Sequence, residues 1–233
     1  MSLVTPAVLP VSREDLEKKI ARFVGIPAVT RIQIDTVDGK FATPASWPYV
    51  APEEMRDLIR DGVLLPTQEQ IEYEIDLMCL DALSAAGNWL ALGASRLTFH
   101  AESAIDIGRL LASAIKQFGT DAVSFGLALN VTSDVALLEV SLAHISYVQF
   151  MGIATIGRQG QPFDRRVLEK IRLFRSRHPE IPVQVDGGVS LDTARELLAL
   201  GVSTLIAGSS LLRASDPRSE IAKFEALQNP YRV

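Results

Sequence analysis

The chain of 233 residues is 48% hydrophobic and 22% charged, and 28 acidic against 23 basic side chains leave a net charge of −5. This balance offers no face for a polyanion, so we expect no nucleic-acid partner. No apolar run approaches about 18 residues, so we expect no membrane span. Cys79 is the only cysteine, which excludes an intrachain disulfide. With no signal-peptide pattern at the start of the chain, a cytoplasmic location is expected.

Short apolar runs alternate with amphipathic helical patterns along the chain. Continuous apolar strands separated by helices indicate a parallel sheet covered by helices. Eight such units in a chain of this length favour an α/β fold, the closed (β/α)8 TIM barrel, with one domain over residues 1–233. The strands are predicted at about residues 7–9, 31–35, 71–78, 96–99, 122–129, 147–151, 183–186 and 204–207.

The connection between the second and third predicted strands, residues 36–70, is long and carries four prolines. A short helix is predicted at about residues 53–60, and the remainder is predicted to be loop. A connection of this length is typical of a lid over a site or of an interface element. Both interpretations stay open, and the second would make the chain a homo-oligomer.

A TIM barrel holds its active site at the C-terminal ends of its strands, and two aspartates are predicted there. Asp35 ends the second predicted strand and Asp186 ends the seventh. Strands two and seven are expected to face each other across the barrel mouth. Two carboxylates placed so could remove a proton from one face of a ligand and return it to the other. The alternative is that each aspartate caps a helix or pairs with a lysine.

The third predicted strand directs one more carboxylate, Asp76, at the same mouth. Because side chains alternate along a strand, Gln33 lies on the same side as Asp35. Asp35, Asp76, Asp186 and Gln33 would form an all-oxygen set of metal ligands, which suits Mg²⁺ or Mn²⁺. A solvated or hydrogen-bonded carboxylate is an equal alternative for Asp76. His100 could shuttle protons, and we favour for it a structural role beside a loop or carboxylate.

Two apolar runs near the C terminus, residues 183–189 and 205–210, contain glycine at the ends of predicted strands. Glycine lets backbone N–H groups approach an anion, and a following helix N terminus favours negative charge, so these runs predict a phosphate cradle. The glycine-bearing loop 152–163 gives a weaker signal of the same kind. The predicted phosphate-binding residues are Gly157, Gly160, Gly187, Gly188, Gly208 and Ser209.

In order and spacing, these motifs resemble the ribulose-phosphate 3-epimerase family, one of the ribulose-phosphate-binding barrels. The matching segments are residues 34–41 (IDTVDGKF), 97–102 (LTFHAE), 126–130 (GLALN), 160–163 (GQPF), 185–189 (VDGGV) and 207–209 (AGS). The resemblance implies conversion of D-ribulose 5-phosphate to D-xylulose 5-phosphate through an enediolate. It assigns C3 proton removal and return to Asp35 and Asp186, phosphate binding to the glycine loops, and contact with the enediolate to Met78 and Met151. Without the resemblance, both methionines are predicted to fill the core.

The resemblance also implies a divalent metal, commonly zinc or iron, held by two histidines and the two aspartates. Both histidine positions differ here, because strand two carries Gln33 and strand three carries Asp76. A remaining ion would be harder than zinc, so the expected cofactor is a divalent metal (Mg, Mn, Zn or Fe) or none. Two further departures are Gln159, in place of a phosphate-loop glycine, and Ala7, in place of a serine that helps hold substrate.

These patterns predict an epimerase-like isomerase whose partner is a small phosphorylated ketose. The alternative is a catalytically silent sugar-phosphate-binding protein of the same fold, because the histidines and the strand-one serine are absent. A scaffold protein that uses residues 36–70 for interaction is a third interpretation.

Overall fold

The computed structural model describes residues 2–228, in which eight strands close into a barrel. Each strand pairs in parallel with the next, and β1 pairs with β8 to complete the ring. The strands are β1 (Val4–Val8), β2 (Arg31–Val37), β3 (Glu72–Met78), β4 (Arg96–His100), β5 (Ser124–Leu129), β6 (Tyr147–Met151), β7 (Val183–Asp186) and β8 (Thr204–Ala207). The predicted single-domain (β/α)8 TIM barrel is confirmed. Residue 1 and residues 229–233 of the predicted domain lie outside the described residues.

Helices cover the outside of the ring. They are α1 (Arg13–Ala21), α2 (Pro52–Arg60), α3 (Ala82–Ala91), α4 (Ile107–Phe118), α5 (Ala136–Glu139), α6 (Arg166–Arg177), α7 (Leu191–Ala199), α8 (Ser209–Leu212) and α9 (Pro217–Ala226). Serine caps two of them: Ser12 accepts a hydrogen bond from the backbone N–H of Asp15, and Ser190 forms a capping box with Thr193. Within the described part of the chain, no helix has the length and apolar character needed to cross a membrane.

Three strands have bounds that differ from the predicted ones by two residues or more. β1 begins at Val4 rather than residue 7, because its first residues pair with β8. β5 begins at Ser124, where its pairing with β4 starts. β2 continues to Val37, which pairs with Met78 of β3. Asp35 therefore lies two residues before the end of its strand, and the prediction that it ends the strand is wrong.

The inside of the barrel is largely polar, although branched apolar side chains dominate most barrels of this kind. Glu74 is fully buried and accepts hydrogen bonds from Arg96 Nε (3.0 Å), Thr98 Oγ1 (3.0 Å) and the Gln184 amide. The Arg96 guanidinium lies 4.0 Å from the ring centroid of Tyr147. Charged groups are costly to bury unpaired. The contacts of Glu74 satisfy its buried carboxylate in a layer of side chains inside the barrel, which we call the floor of the candidate site.

The long connection between β2 and β3, predicted over residues 36–70, spans residues 38–71 and packs onto the barrel. Trp47 is buried, and its ring meets that of Trp89 edge to face with centroids 5.6 Å apart. Nearer the barrel mouth, Arg158 Nε of the β6–α6 loop donates to the carbonyl of Thr43 (3.1 Å). The first part of the connection therefore borders the predicted site, and a later part belongs to the core. A role as an interface between copies stays a prediction.

Candidate active site

Three carboxylates converge at the C-terminal end of the barrel. Asp35 comes from β2, Asp76 from β3 and Asp186 from β7, and one oxygen atom of each lies within 4.8 Å of the others. All three are buried, with 5%, 0% and 8% of their surface exposed. Asp35 and Asp186 were expected to face each other across the mouth, and the Gln33 amide lies between them. The interior of an eight-stranded barrel is just wide enough for its inward side chains, so side chains from β2, β3 and β7 can meet there.

The Gln33 amide joins two of these carboxylates. Its Nε2 donates to Asp35 Oδ1 (3.0 Å) and to Asp186 Oδ2 (3.1 Å). Its Oε1 is buried and has no hydrogen-bond partner among the described residues. Gln33 thus acts as a hydrogen-bond donor to both members of the acid pair.

Asp76 is held from two other strands. His100 Nε2 lies 2.8 Å from Asp76 Oδ1, and Gln149 Nε2 donates to Asp76 Oδ2 (3.0 Å). The contact with His100 agrees with the interpretation that this histidine supports a neighbouring carboxylate. Gln149 was missed, and so was Gln184, which donates to Gln149 Oε1 (2.7 Å). The alternation of side chains along a strand could have placed both glutamines inside the barrel. Each stands two residues before the inward residue that ends its strand, β6 or β7.

Burial and mutual repulsion change the protonation of this cluster. Burial, followed by the negative charge of Asp76, raises the pKa of Asp35 to about 8, against weaker opposing hydrogen bonds from Gln33 and Gln159. Burial and the charges of Asp35 and Asp76 raise the pKa of Asp186 well above its ordinary value. The cluster therefore retains a proton near neutral pH, and one group can donate a proton while another accepts one.

Burial and the surrounding charges shift the pKa of His100 in opposite directions. Burial lowers the pKa of His100, but the charge and hydrogen bond of Asp76, with the charges of Glu102 and Asp186, outweigh it, so the pKa is raised. The raised pKa favours the imidazolium form of His100, whose positive charge would offset part of the negative charge of the carboxylates.

The donor set of the cluster fits a hard divalent cation. Three buried carboxylates supply only oxygen, which suits Mg²⁺ or Mn²⁺ better than Zn²⁺. Burial and mutual repulsion make it costly to ionise all three carboxylates, and a bound cation would relieve that cost.

A pocket lined by both Asp35 and Asp186 opens at this end of the barrel. Gly187 and Gly188 have φ of 98° and 68°, and a Cβ at Gly188 would lie 2.5 Å from the Cα of Phe163, so the loops approach each other closely. Gln33 and Asp76 lie beneath the pocket and do not line it. The predicted site residues that line it are Asp35, Met78, Met151, Gly157, Gly160, Asp186, Gly187, Gly188, Gly208 and Ser209.

Gln159, which the sequence showed only as a lost glycine, also lines this pocket. Its Nε2 donates to the carbonyl of Ala7 (3.2 Å) on the far wall, and a Cβ at Gly208 would lie 2.5 Å from the same nitrogen. A side chain therefore crosses space that glycine would leave open.

Comparisons with known proteins agree on one family. The model of the ribulose-phosphate 3 epimerase family matches residues 3–212. The chain is 26% identical to ribulose-phosphate 3-epimerase of Escherichia coli (strain K12), over 95% of this chain and 96% of that protein. It is 24% identical to ribulose-phosphate 3-epimerase of Schizosaccharomyces pombe, over 94% and 90%.

Solved structures share the fold at lower identity. 3-hexulose-6-phosphate synthase from Salmonella typhimurium superposes with a TM-score of 0.67 at 15% identity, covering 97% of this chain and 98% of that chain. KGPDC from Streptococcus mutans gives a TM-score of 0.65 at 19% identity, covering 97% of each chain. At these identities the likeness supports the barrel fold alone.

Proposed function

Because the chain belongs to the ribulose-phosphate 3-epimerase family, we propose that it epimerises a small ketose phosphate by proton transfer between Asp35 and Asp186. The observation that carries the proposal is the acid pair itself. Two buried aspartates with raised pKa values line one pocket with the glycine loops. A carboxylate and a carboxylic acid on opposite faces of a ligand are the two partners that an inverting proton transfer needs.

The proposed reaction has two balanced steps. In the first, the ionised member of the pair takes the proton from C3, beside the ketone, and the electron pair of the C–H bond passes into an enediolate. In the second, the protonated member returns a proton to the opposite face of C3, and the ketone re-forms. The Gln33 amide, which donates to both aspartates, holds their carboxyl groups in fixed orientation for both steps.

The glycine loops are proposed to hold the phosphate. Gly187, Gly188, Gly208 and Ser209 stand on one wall of the pocket, with Gly157 and Gly160 in the loop above them. Close backbone approach is possible there because none of the five glycines carries a Cβ. A phosphate bound at this wall leaves the carbon chain to extend toward the acid pair and toward Met78 and Met151.

Asp35, Asp76, Asp186 and the Gln33 carbonyl oxygen are the residues that would hold a divalent cation. A bound cation supplies stabilisation of negative charge that develops on the oxygens of an enediolate, worth several kcal/mol in such reactions. The all-oxygen donor set favours Mg²⁺ or Mn²⁺ for this role.

The test is hydrogen exchange at C3 in deuterated water, followed by NMR with ribulose 5-phosphate and other ketose phosphates. We expect exchange with the native chain, stimulated by Mg²⁺ or Mn²⁺, and a loss of at least 100-fold in Asp35→Asn and in Asp186→Asn. Asp121→Asn, on an exposed turn, is the matched control and should exchange at the native rate. An absence of exchange with every pentulose and hexulose phosphate, with each of Mg²⁺, Mn²⁺ and Zn²⁺, would refute the proposal.

One observation favours the second candidate, a sugar-phosphate-binding protein without turnover. The Gln33 amide bonds to both aspartates, and a base that accepts such a bond is a weaker proton acceptor. Calorimetry separates the two: ligand binding with an affinity that is the same in the native chain and Asp186→Asn, together with no exchange, would favour binding alone.

A further inference from the structure

The Gln159 side chain crosses the pocket that the predicted acid pair and the glycine loops line. Gln159 stands in the loop between β6 and α6, yet its Nε2 reaches the Ala7 carbonyl in β1 (3.2 Å). The same nitrogen lies against Gly208, where a Cβ would be 2.5 Å away. Gln159 also lines the pocket that Asp35 lines. The amide therefore lies at the start of the β8–α8 loop, in the same pocket as a proposed acid/base group.

The neighbouring glutamine of the same loop has a different set of contacts. Gln161 Nε2 donates to the carbonyls of Thr155 and Arg158 (2.9 Å for Arg158), both within its own loop. Gln161 thus shapes the loop, whereas Gln159 leaves it and bonds across the pocket. The two residues give a matched pair for experiment. Both are glutamines of the same loop, but only the Gln159 side chain forms a hydrogen bond outside that loop.

A ligand bound as proposed must pass the Gln159 amide. With the reacting carbon at C3 beside Asp35 and the phosphate on C5 beside Gly208, one carbon lies between them. That carbon, C4, carries a hydroxyl in a pentulose phosphate. A hydroxyl is both donor and acceptor, and a primary amide offers both partners from one planar group.

We propose that Gln159 is a specificity-determining residue that recognises the hydroxyl on the carbon between the reacting carbon and the phosphate-bearing carbon. The inference rests on the proposed function for the placement of the phosphate and of C3. On binding, the Gln159 amide gives up its hydrogen bond to the Ala7 carbonyl and donates to the oxygen of the hydroxyl instead. A ligand that displaces the amide without offering a hydroxyl leaves the amide unpaired, and sites built this way discriminate strongly against such ligands.

Calorimetry with unreactive probes tests the inference without turnover. The probes are ribitol 5-phosphate, its 4-deoxy analogue and inorganic phosphate, none of which has a ketone. The native chain should bind the 4-deoxy analogue about tenfold more weakly than ribitol 5-phosphate, the scale of one lost hydrogen bond with an unpaired partner. In Gln159→Ala the two dissociation constants should agree within twofold, and in Gln161→Ala the tenfold ratio should persist.

Three results would overturn the inference: no discrimination by the native chain, a tenfold ratio that persists in Gln159→Ala, or a ratio lost equally in Gln161→Ala. Inorganic phosphate should bind the native chain and Gln159→Ala with the same affinity, and thermal unfolding of each variant shows that it is folded. A protein that exchanges no C3 proton but shows the expected ratios would refute the epimerase proposal and leave this inference standing.

Discussion

Replacing Asp35 with asparagine should stabilise the folded chain, and the gain should grow with pH. Burial, followed by the charge of Asp76, raises the pKa of Asp35 from 3.8 to about 8. An acid with a raised pKa in the folded state binds its proton more tightly there than in the unfolded chain. Asp35 therefore costs the folded chain no stability below about pH 4, and the free energy of unfolding falls as the pH rises toward 8. Asparagine cannot ionise, and its Oδ1 can still accept the hydrogen bond from Gln33.

The size of the stabilisation by Asp35→Asn follows from the difference between the pKa of Asp35 in the unfolded chain and in the folded chain. Each pH unit between the unfolded and the folded pKa costs about 1.4 kcal/mol. Over about four units the difference in free energy of unfolding between Asp35→Asn and the native chain should approach a ceiling of about 6 kcal/mol near pH 8. It should shrink toward zero near pH 4.

Urea titrations at pH 5, 6, 7 and 8 measure this difference, with a chelator present because a bound cation would favour the ionised acid. Asp121→Asn is the control, since Asp121 is exposed and makes no side-chain hydrogen bond or ion pair with the described residues. Its difference from the native chain should be constant across the range. A pH-independent difference for Asp35→Asn, or a native chain that is the more stable at pH 8, would refute the reasoning.

Three further predictions concern the buried contacts of Glu74, the divalent cation and the glycine loops that are proposed to hold the phosphate. Glu74→Ala should lower the free energy of unfolding by about 3–5 kcal/mol in urea titrations, because Arg96 would stay buried without its carboxylate; a loss under about 1 kcal/mol would contradict the role of this layer. Mn²⁺ should raise the thermal midpoint of the native chain more than that of Asp76→Asn, which lacks one of three carboxylate ligands, and equal shifts in calorimetry would argue against a cation at the triad. Gly188→Ala should weaken inorganic phosphate binding at least tenfold by calorimetry, because its φ is 68° and a Cβ would press on the facing loop at 2.5 Å; Gly25→Ala, with φ of 78° and no described atom within 4 Å, should bind phosphate as the native chain does.

Several features of the site follow from local patterns, which is why the sequence predicts them. Apolar runs of strand length that alternate with helices lead to a barrel whose strand ends share one face. Asp35 and Asp186 could then be placed at the same mouth of the barrel without coordinates. The alternation of side chains put Gln33 beside Asp35, and the structure finds its amide between the two aspartates. Such inferences succeed because they depend on spacing within one strand.

The contacts of Gln149 and Gln159 could not be predicted this way. Gln149 bonds Asp76, 73 residues earlier in the chain, and Gln159 bonds Ala7, 152 residues earlier. Nothing in the local pattern of either residue selects a partner, because the direction of a loop side chain depends on how the loop packs. The same holds for the end of β2, which continues past Asp35 because the neighbouring strand is long enough to pair with it.

The sequence by itself determined the order of the elements, the barrel and the glycine-bearing strand ends, since these depend on periodicity and on residues that tolerate unusual backbone angles. The tertiary structure alone decided that three carboxylates meet within 4.8 Å, that they retain a proton, and that Gln159 crosses the pocket. Proximity and burial set the energy of a charge, and both arise only when strands distant in the chain close into one ring.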